Sequence, residues 1–213
     1  MKLLVTAGPT REPIDPVRFI SNRSSGKMGY AVAELARKRG HSVVLISGPV
    51  SIESPRGVKL IKVITAEEMF SAVKRNVNWC DALVMAAAVA DWRPAKSSGK
   101  KIKKDQMPAS LPLARNPDIL MAVGPQKGKR IFVGFAAETG NLRAEALRKL
   151  RLKKLDMIVA NDVGRPDAGF EVDTNRVAFY FAGGKHEQLP LMRKKQVAER
   201  IVKWLEKSNS FRR

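Results

Sequence analysis

The first 48 residues restrict the fold more than any other stretch of this chain. Leu3-Leu4-Val5-Thr6-Ala7 is a continuous apolar run closed by Gly8-Pro9-Thr10, which reads as a buried strand entering a loop. From Gly26 to Arg39, Met28, Tyr30, Val32, Leu35 and Ala36 recur close to a helical period, and the pattern stops at Gly40. Ser42-Val43-Val44-Leu45-Ile46 is a second continuous apolar run, closed by Gly48-Pro49. Strand, loop, helix, strand is a βαβ unit. Such crossovers are right-handed and give a parallel sheet with helices on its faces.

The same rhythm continues. Val58–Val63 reads as a strand, and Thr65 can N-cap a helix over Ala66–Asn76, with Glu67 and Glu68 in the first turn. Ala82–Ala86, Ile131–Phe135 and Met157–Ala160 are further buried strands, with a helix over Asn141–Lys154. Arg176–Phe181 and Glu187–Leu191 flank Gly183-Gly184, the signal for a late antiparallel hairpin. A helix over Val197–Lys207 closes the pattern, and 208–213 is expected to fray. The expected architecture is α/β: a single doubly wound, mostly parallel, Rossmann-like sheet with the hairpin at one edge. Residues 1–213 form one domain in this reading. Residues 93–112, rich in proline and carrying five lysines from Lys96 to Lys104, form a mobile basic loop.

Composition narrows the function. Lys and Arg number 40 against 20 Asp and Glu, a formal charge of +20, which calls for an anionic partner. A single cysteine, Cys80, excludes an internal disulfide framework and reads as a small buried hydrophobe. His41 and His186 have no metal-type spacing and read as surface or packing residues. No apolar run approaches the ~18 residues of a membrane span. With no leader-like start, a cytoplasmic protein is expected.

The usual nucleotide fingerprints are absent: there is no G-x-G-x-x-G after the first strand and no P-loop around Gly26-Lys27. Two other clusters fall where an open α/β sheet binds ligands, at the carboxyl ends of strands. The first is the polar loop from Gly8 to Ser25, far longer than the usual ~2–6 residues. Its end, Ser24-Ser25-Gly26, brings hydroxyls, amides and a helix dipole to one spot, an anion site unless it is an ordinary cap. The second is Ala86-Ala87-Ala88-Val89-Ala90-Asp91, where small side chains let a ligand approach the backbone and Asp91 could accept ribose hydroxyls or hold magnesium. Lys100-Lys101-Ile102-Lys103-Lys104 alone would read as a solvated face. Lys149 and Lys153 share a helix face; like charges there cost roughly 0.2–0.5 kcal/mol, so a site that keeps both suits an anion.

Taken in order, these blocks resemble one family. Thr10 to Gly29 (TREPIDPVRFISNRSSGKMG) is similar to the opening signature of phosphopantothenate–cysteine ligases, also called phosphopantothenoylcysteine synthetases. Ala86–Asp91, Lys101–Lys104, Asn116–Leu120, Gly134–Thr139 and Ala160–Asp162 are similar to its later blocks, so the resemblance covers nearly the whole chain. It implies a reaction of coenzyme A synthesis. The carboxylate of 4′-phosphopantothenate attacks the α-phosphorus of CTP, pyrophosphate leaves, and cysteine displaces CMP from the acyl-cytidylate to give the amide.

The resemblance also implies roles. Asn22 and Lys101 would be catalytic, Asn22 on the acyl intermediate and Lys101 on a lid over the phosphates. Arg18, Asn22, Ser24, Ser25, Gly26, Ala87 and Ala88 would bind substrate, Arg18 reaching across a homodimer into a composite site. Met85, Ala86, Ala87, Asp91, Lys101, Pro117, Asp118, Ile119, Leu120, Phe135, Lys149 and Lys153 would bind CTP. Mg²⁺ would accompany CTP, with ligands left open. The sequence begins at the first strand, so the flavin-dependent decarboxylase half of many bacterial members is expected to be absent, leaving a separate decarboxylase as a partner. The rival is a basic α/β nucleic-acid-binding protein. Its scattered charges and scarce aromatics speak against it.

Overall fold

The computed structural model describes residues 1–106, 109–162, 164 and 172–210. Among these, eight strands form one sheet: β1 (Lys2–Ala7), β2 (Ser42–Ser47), β3 (Lys59–Lys62), β4 (Ala82–Met85), β5 (Ile131–Glu138), β6 (Met157–Asp162), β7 (Val177–Phe181) and β8 (His186–Gln188). Their spatial order is β8-β7-β6-β5-β4-β1-β2-β3. The six strands from β3 to β6 run parallel, whereas β7 and β8 are antiparallel additions at the edge. The order 3-2-1-4-5-6 is doubly wound, and its direction reverses between β1 and β4. The expected fold is borne out, hairpin included.

Among the described residues, five helices cover the sheet: α1 (Lys27–Lys38), α2 (Ala66–Asn76), α3 (Ile119–Val123), α4 (Leu142–Leu152) and α5 (Lys194–Ser210). On one face, Tyr30 and Val32 of α1 and Ile201 of α5 pack with Leu3, Val5 and Val84. On the other, Met69 of α2, Leu120 of α3 and Leu150 of α4 pack with Leu4, Leu83 and Phe132. Neighbouring residues of β1 therefore enter opposite cores, which is why the strand reads as an unbroken apolar run. Helix α1 sits directly on β1. A Cβ added at Gly29 would lie 2.6 Å from the Ala7 Cβ and 2.7 Å from the Thr6 carbonyl oxygen.

Two expectations change. The last helix is longer than expected at both ends, running from Lys194 to Ser210. The Ser210 hydroxyl donates to the Glu206 carbonyl, and the Glu206 carboxylate holds Arg39 and His41 on the neighbouring helix end. Residues 211–213 lie outside the described ones. The two long loops also carry paired backbone. Arg11–Pro13 pairs antiparallel with Phe19–Ser21, and Trp92–Pro94 with Leu113–Arg115, closing the basic segment at its base. Stems this short carry no periodic signal, and their prolines read as loop.

Candidate active site

The carboxyl ends of β1, β4, β5 and β6 open into one cleft of about 460 Å³. Asn22, Ser24, Ser25, Gly26, Met85, Ala86, Ala87, Ala88, Asp91, Pro117, Asp118, Ile119, Leu120, Phe135, Lys149 and Lys153 all line it. The cleft straddles the β1/β4 switch point, where a doubly wound sheet has its natural crevice. Of the residues singled out from the sequence, Arg18 and Lys101 are not in its walls.

The wall beside β1 and β4 is a backbone weave. The loops after these strands cross at Pro9 and Ala88, where the Ala88 N–H donates to the Gly8 carbonyl at 2.9 Å. The Thr10 hydroxyl, fully buried, accepts the Ala90 N–H at 3.0 Å, and the Thr6 hydroxyl accepts the Ala87 N–H at 3.2 Å. The Asn22 side chain donates to the carbonyls of Val89 (3.1 Å) and Ala88 (3.3 Å). Asn116 donates to the Ala90 carbonyl at 2.8 Å. Two buried threonines and two asparagines thus fix the main chain of residues 87 to 90, whose small side chains line the cleft.

At the start of α1, Gly26 is the capping residue, with φ of 76°, and no side chain caps the helix. The ordinary-cap reading of Ser24-Ser25-Gly26 is thereby set aside. The contrast is α2, where Thr65 and Glu68 form a full capping box and Glu12 accepts the Ala66 N–H. An uncapped N-terminus of a 12-residue helix facing a cleft favours anions through its first-turn amides and its dipole.

The basic wall is neutralised within the chain. Lys149 Nζ lies 2.5 Å from the Glu138 carboxylate, and Lys153 Nζ lies 2.8 Å from that of Asp118. Asp118 also accepts the Met121 N–H as the cap of α3. The repulsion expected between the two lysines is offset by these carboxylates, so the pair alone does not require a bound anion. Arg18 is held on the outer loop. Its guanidinium binds the Asp15 carboxylate and donates to the Ile102 carbonyl at 2.7 Å. Asp15, 3% exposed, also accepts the N–H groups of Val17, Arg18 and Ile102. Arg18 above all, and then those amides, hold the Asp15 carboxyl well below the usual carboxylate range against the opposing effect of burial. Lys101 is exposed next to that clamp.

Sequence reasoning gave no role to several other cleft residues, among them Asn116, Asn161, Asn175 and Lys194. Lys194 had a legible signal. It occupies the first place of a stripe continued by Val197, Ala198, Ile201, Val202 and Leu205, all buried, so a lysine there points inward. Cys80 is buried as expected, and desolvation pushes its thiol up to about 12, which makes it inert. His41 is a packing residue on Glu206. Among the described residues, no cluster of three His, Cys, Asp or Glu could hold a metal, and no helix is long and apolar enough to cross a membrane.

A doubly wound α/β domain with an uncapped helix N-terminus, a small-residue ladder and lysines around one switch-point cleft defines the class. The chain belongs to the DNA/pantothenate metabolism flavoprotein C-terminal domain family, whose model matches residues 1–208. Curated relatives include the coenzyme A biosynthesis bifunctional proteins CoaBC of Bacillus subtilis, 47% identical over 201 residues, and of Escherichia coli K12, 44% identical over 206. These alignments cover 94% and 95% of this chain but 50% of each relative, so the chain spans about half their length. Among solved structures, the C-terminal domain of a CoaBC protein superposes with a TM-score of 0.83 at 42% identity, covering 96% of this chain and 93% of that one. A Streptococcus pneumoniae DNA/pantothenate metabolism flavoprotein shares the fold at 23% identity and a TM-score of 0.83, covering 97% of this chain and 98% of that one.

Proposed function

We propose that this chain is a phosphopantothenate–cysteine ligase domain of coenzyme A synthesis that uses CTP. One observation carries the reading: sixteen of the eighteen residues named by the family resemblance line a single cleft at the switch point of the sheet. CoaBC relatives named for coenzyme A biosynthesis support it.

The chemistry asks for charge management more than for an acid–base pair. A carboxylate is a poor acyl donor until one oxygen becomes a leaving group. The acid attacks the α-phosphorus, the pyrophosphate departs with the bond electrons, and a mixed anhydride with CMP remains. The amine of cysteine then attacks the acyl carbon, CMP leaves, and the amine proton is lost. The uncapped end of α1, with Ser24 and Ser25, receives phosphate oxygens. The main-chain ladder from Met85 to Ala88, with Pro117–Leu120 and Phe135, holds the nucleoside. Lys149 and Lys153, each shared with a carboxylate, swing toward phosphate at little cost. Asn22 turns its amide from the Ala88 and Val89 carbonyls to the acyl oxygen. Lys101 closes over the phosphates from its loop.

Magnesium fits this lining without a dedicated cage. It is commonly held by one or two carboxylates plus the phosphates of the substrate, and Asp91 and Asp118 bring carboxylates to the lining, Asp118 shared with Lys153. Bound there, it would neutralise phosphate charge.

A homodimer belongs to the reading. Val17 (59% exposed) and Phe19 (47%) flank Arg18 in the chain and Trp92 (44%) stands on the other short hairpin, exposed apolar side chains suited to a second copy. A decarboxylase partner and a cytoplasmic location also belong to the proposal. The test is incubation with 4′-phosphopantothenate, cysteine, magnesium and either CTP or ATP, with mass detection of the amide and the nucleoside monophosphate. The amide with CMP supports the proposal. No amide with either nucleotide, together with tight salt-sensitive RNA or duplex binding, favours the nucleic-acid reading.

A further inference from the structure

Lys194 and Asn175 lie together at the α1 end of the cleft, and neither has a role in the reading above. Asn175 belongs to a short strand Thr174–Asn175 that pairs with Met192–Arg193, and the Lys194 N–H donates to the Asp173 carbonyl at 2.9 Å. The two side chains are thus held in a fixed relation by one backbone frame. Both line the cleft although Lys194 is only 7% exposed and Asn175 only 4%.

Each is an unusual thing to bury. The Lys194 ammonium donates to the Val172 carbonyl. Burial first, and then the charge of Lys27, push its pKa down to about 8, with Asp173 opposing. An ammonium that lines the cleft can receive the carboxylate of a ligand in a charge-assisted hydrogen bond. The Asn175 Oδ1 has no hydrogen-bond partner among the described residues, while its Nδ2 faces the Met28 sulfur at 3.9 Å. A buried amide oxygen without a donor is costly, and a ligand that brings an N–H group removes that cost.

We propose that Lys194 and Asn175 seat the amino-acid substrate of the amide-forming step, Lys194 taking its α-carboxylate and Asn175 its α-ammonium group. The inference rests on the ligase reading. The donor–acceptor inventory selects this ligand over the triphosphate. Ionised phosphate oxygens accept hydrogen bonds and donate none, so they can pair with Lys194 but leave the Asn175 oxygen without a donor. An α-amino acid offers both an anion for the lysine and a donor for the asparagine oxygen.

Access agrees. Lys27 and Lys194 also line a second groove of about 1320 Å³ that runs along α1 past Glu34 and Arg56. The groove and the cleft therefore meet at these two lysines, and the Lys27–Asp173 ion pair (2.6 Å) stands at the junction. A small amino acid can reach the activated acid from this side while the nucleotide occupies the other.

The test compares L-cysteine with cysteamine, which keeps the amine and thiol but lacks the carboxylate. In Lys194→Met, kcat/KM for cysteine should fall at least about tenfold, with cysteamine little changed, so that the preference for cysteine collapses. Asn175→Leu should weaken both amines through KM. An intact cysteine preference in Lys194→Met overturns the proposal, and so does an equal loss of both amines. Slowed pyrophosphate release in the absence of amine, with the preference retained, assigns the lysine to the triphosphate and overturns it too. Should Lys194→Met not fold, Asn175→Leu decides: an unaltered KM for cysteine contradicts the seat. A wild-type chain that releases no pyrophosphate removes the ligase reading itself, an outcome distinct from any of these.

Discussion

The Asp15 carboxylate accepts the backbone N–H of Ile102 at 3.1 Å, across 87 positions of sequence. Arg18, itself clamped on Asp15, takes the Ile102 carbonyl at 2.7 Å. One residue of the basic loop is thus gripped on both its backbone groups, and Lys101 stands immediately before the grip.

The first prediction concerns this grip. Lys101→Ala removes a charge-assisted contact worth roughly 1.5–3 kcal/mol, so turnover should fall on the order of tenfold to a hundredfold. Asp15→Asn loosens the anchor and should lower turnover through the same lysine. Added to Lys101→Ala it should therefore cost little more. Steady-state rates of the two single variants and the double variant give the coupling, and independent multiplicative losses would disprove the shared route.

Acid stability follows from the same carboxylate. The folded-state pKa of Asp15 is depressed, mainly by Arg18. The unfolded chain therefore binds the proton at higher pH than the folded chain. The stabilisation is present above the ordinary carboxylate pKa of about 4 and is lost as pH falls through and below it. Urea midpoints measured between neutral and acid pH should decline less steeply for Asp15→Asn than for the wild type.

Asn22→Asp tests the acyl contact. The side chain is exposed, so the fold should survive. A carboxylate there cannot donate to the Ala88 and Val89 carbonyls and would oppose an acyl oxygen. Amide formation should stall after acyl-cytidylate formation, with the intermediate detectable by mass. Normal amide synthesis would remove Asn22 from the site.

Gly29→Ala tests the close approach of α1 to β1. The added methyl would meet the Thr6 carbonyl oxygen at 2.7 Å, and backbone must move. Overpacking of this kind costs about 1–3 kcal/mol. Urea unfolding should register that loss, while a neutral result would mean that the helix can lift without penalty.

The parallel sheet was legible because both faces of its strands are covered. Leu3 and Leu4 enter opposite cores, so burial writes an uninterrupted apolar run. The cleft was legible because ligands collect at strand ends, and the long loop before Gly26 marked one of them. What escaped depends on pairing between distant residues. Nothing local tells that Lys149 meets Glu138, that Lys153 meets Asp118, or that Arg18 reaches Ile102. The hairpin stems at 11–21 and 92–115 are only three residues a side, too short for a period to emerge. Lys194 was visible as a basic residue heading an apolar stripe, yet a sequence with so many lysines drowns one that points inward.

Pyrophosphate release in the absence of cysteine probes the central claim most directly. With CTP and magnesium, release should require 4′-phosphopantothenate and leave a mass equal to the acid plus CMP less water on the protein. Release that proceeds equally without the acid, or no release with any common nucleoside triphosphate, would contradict the account.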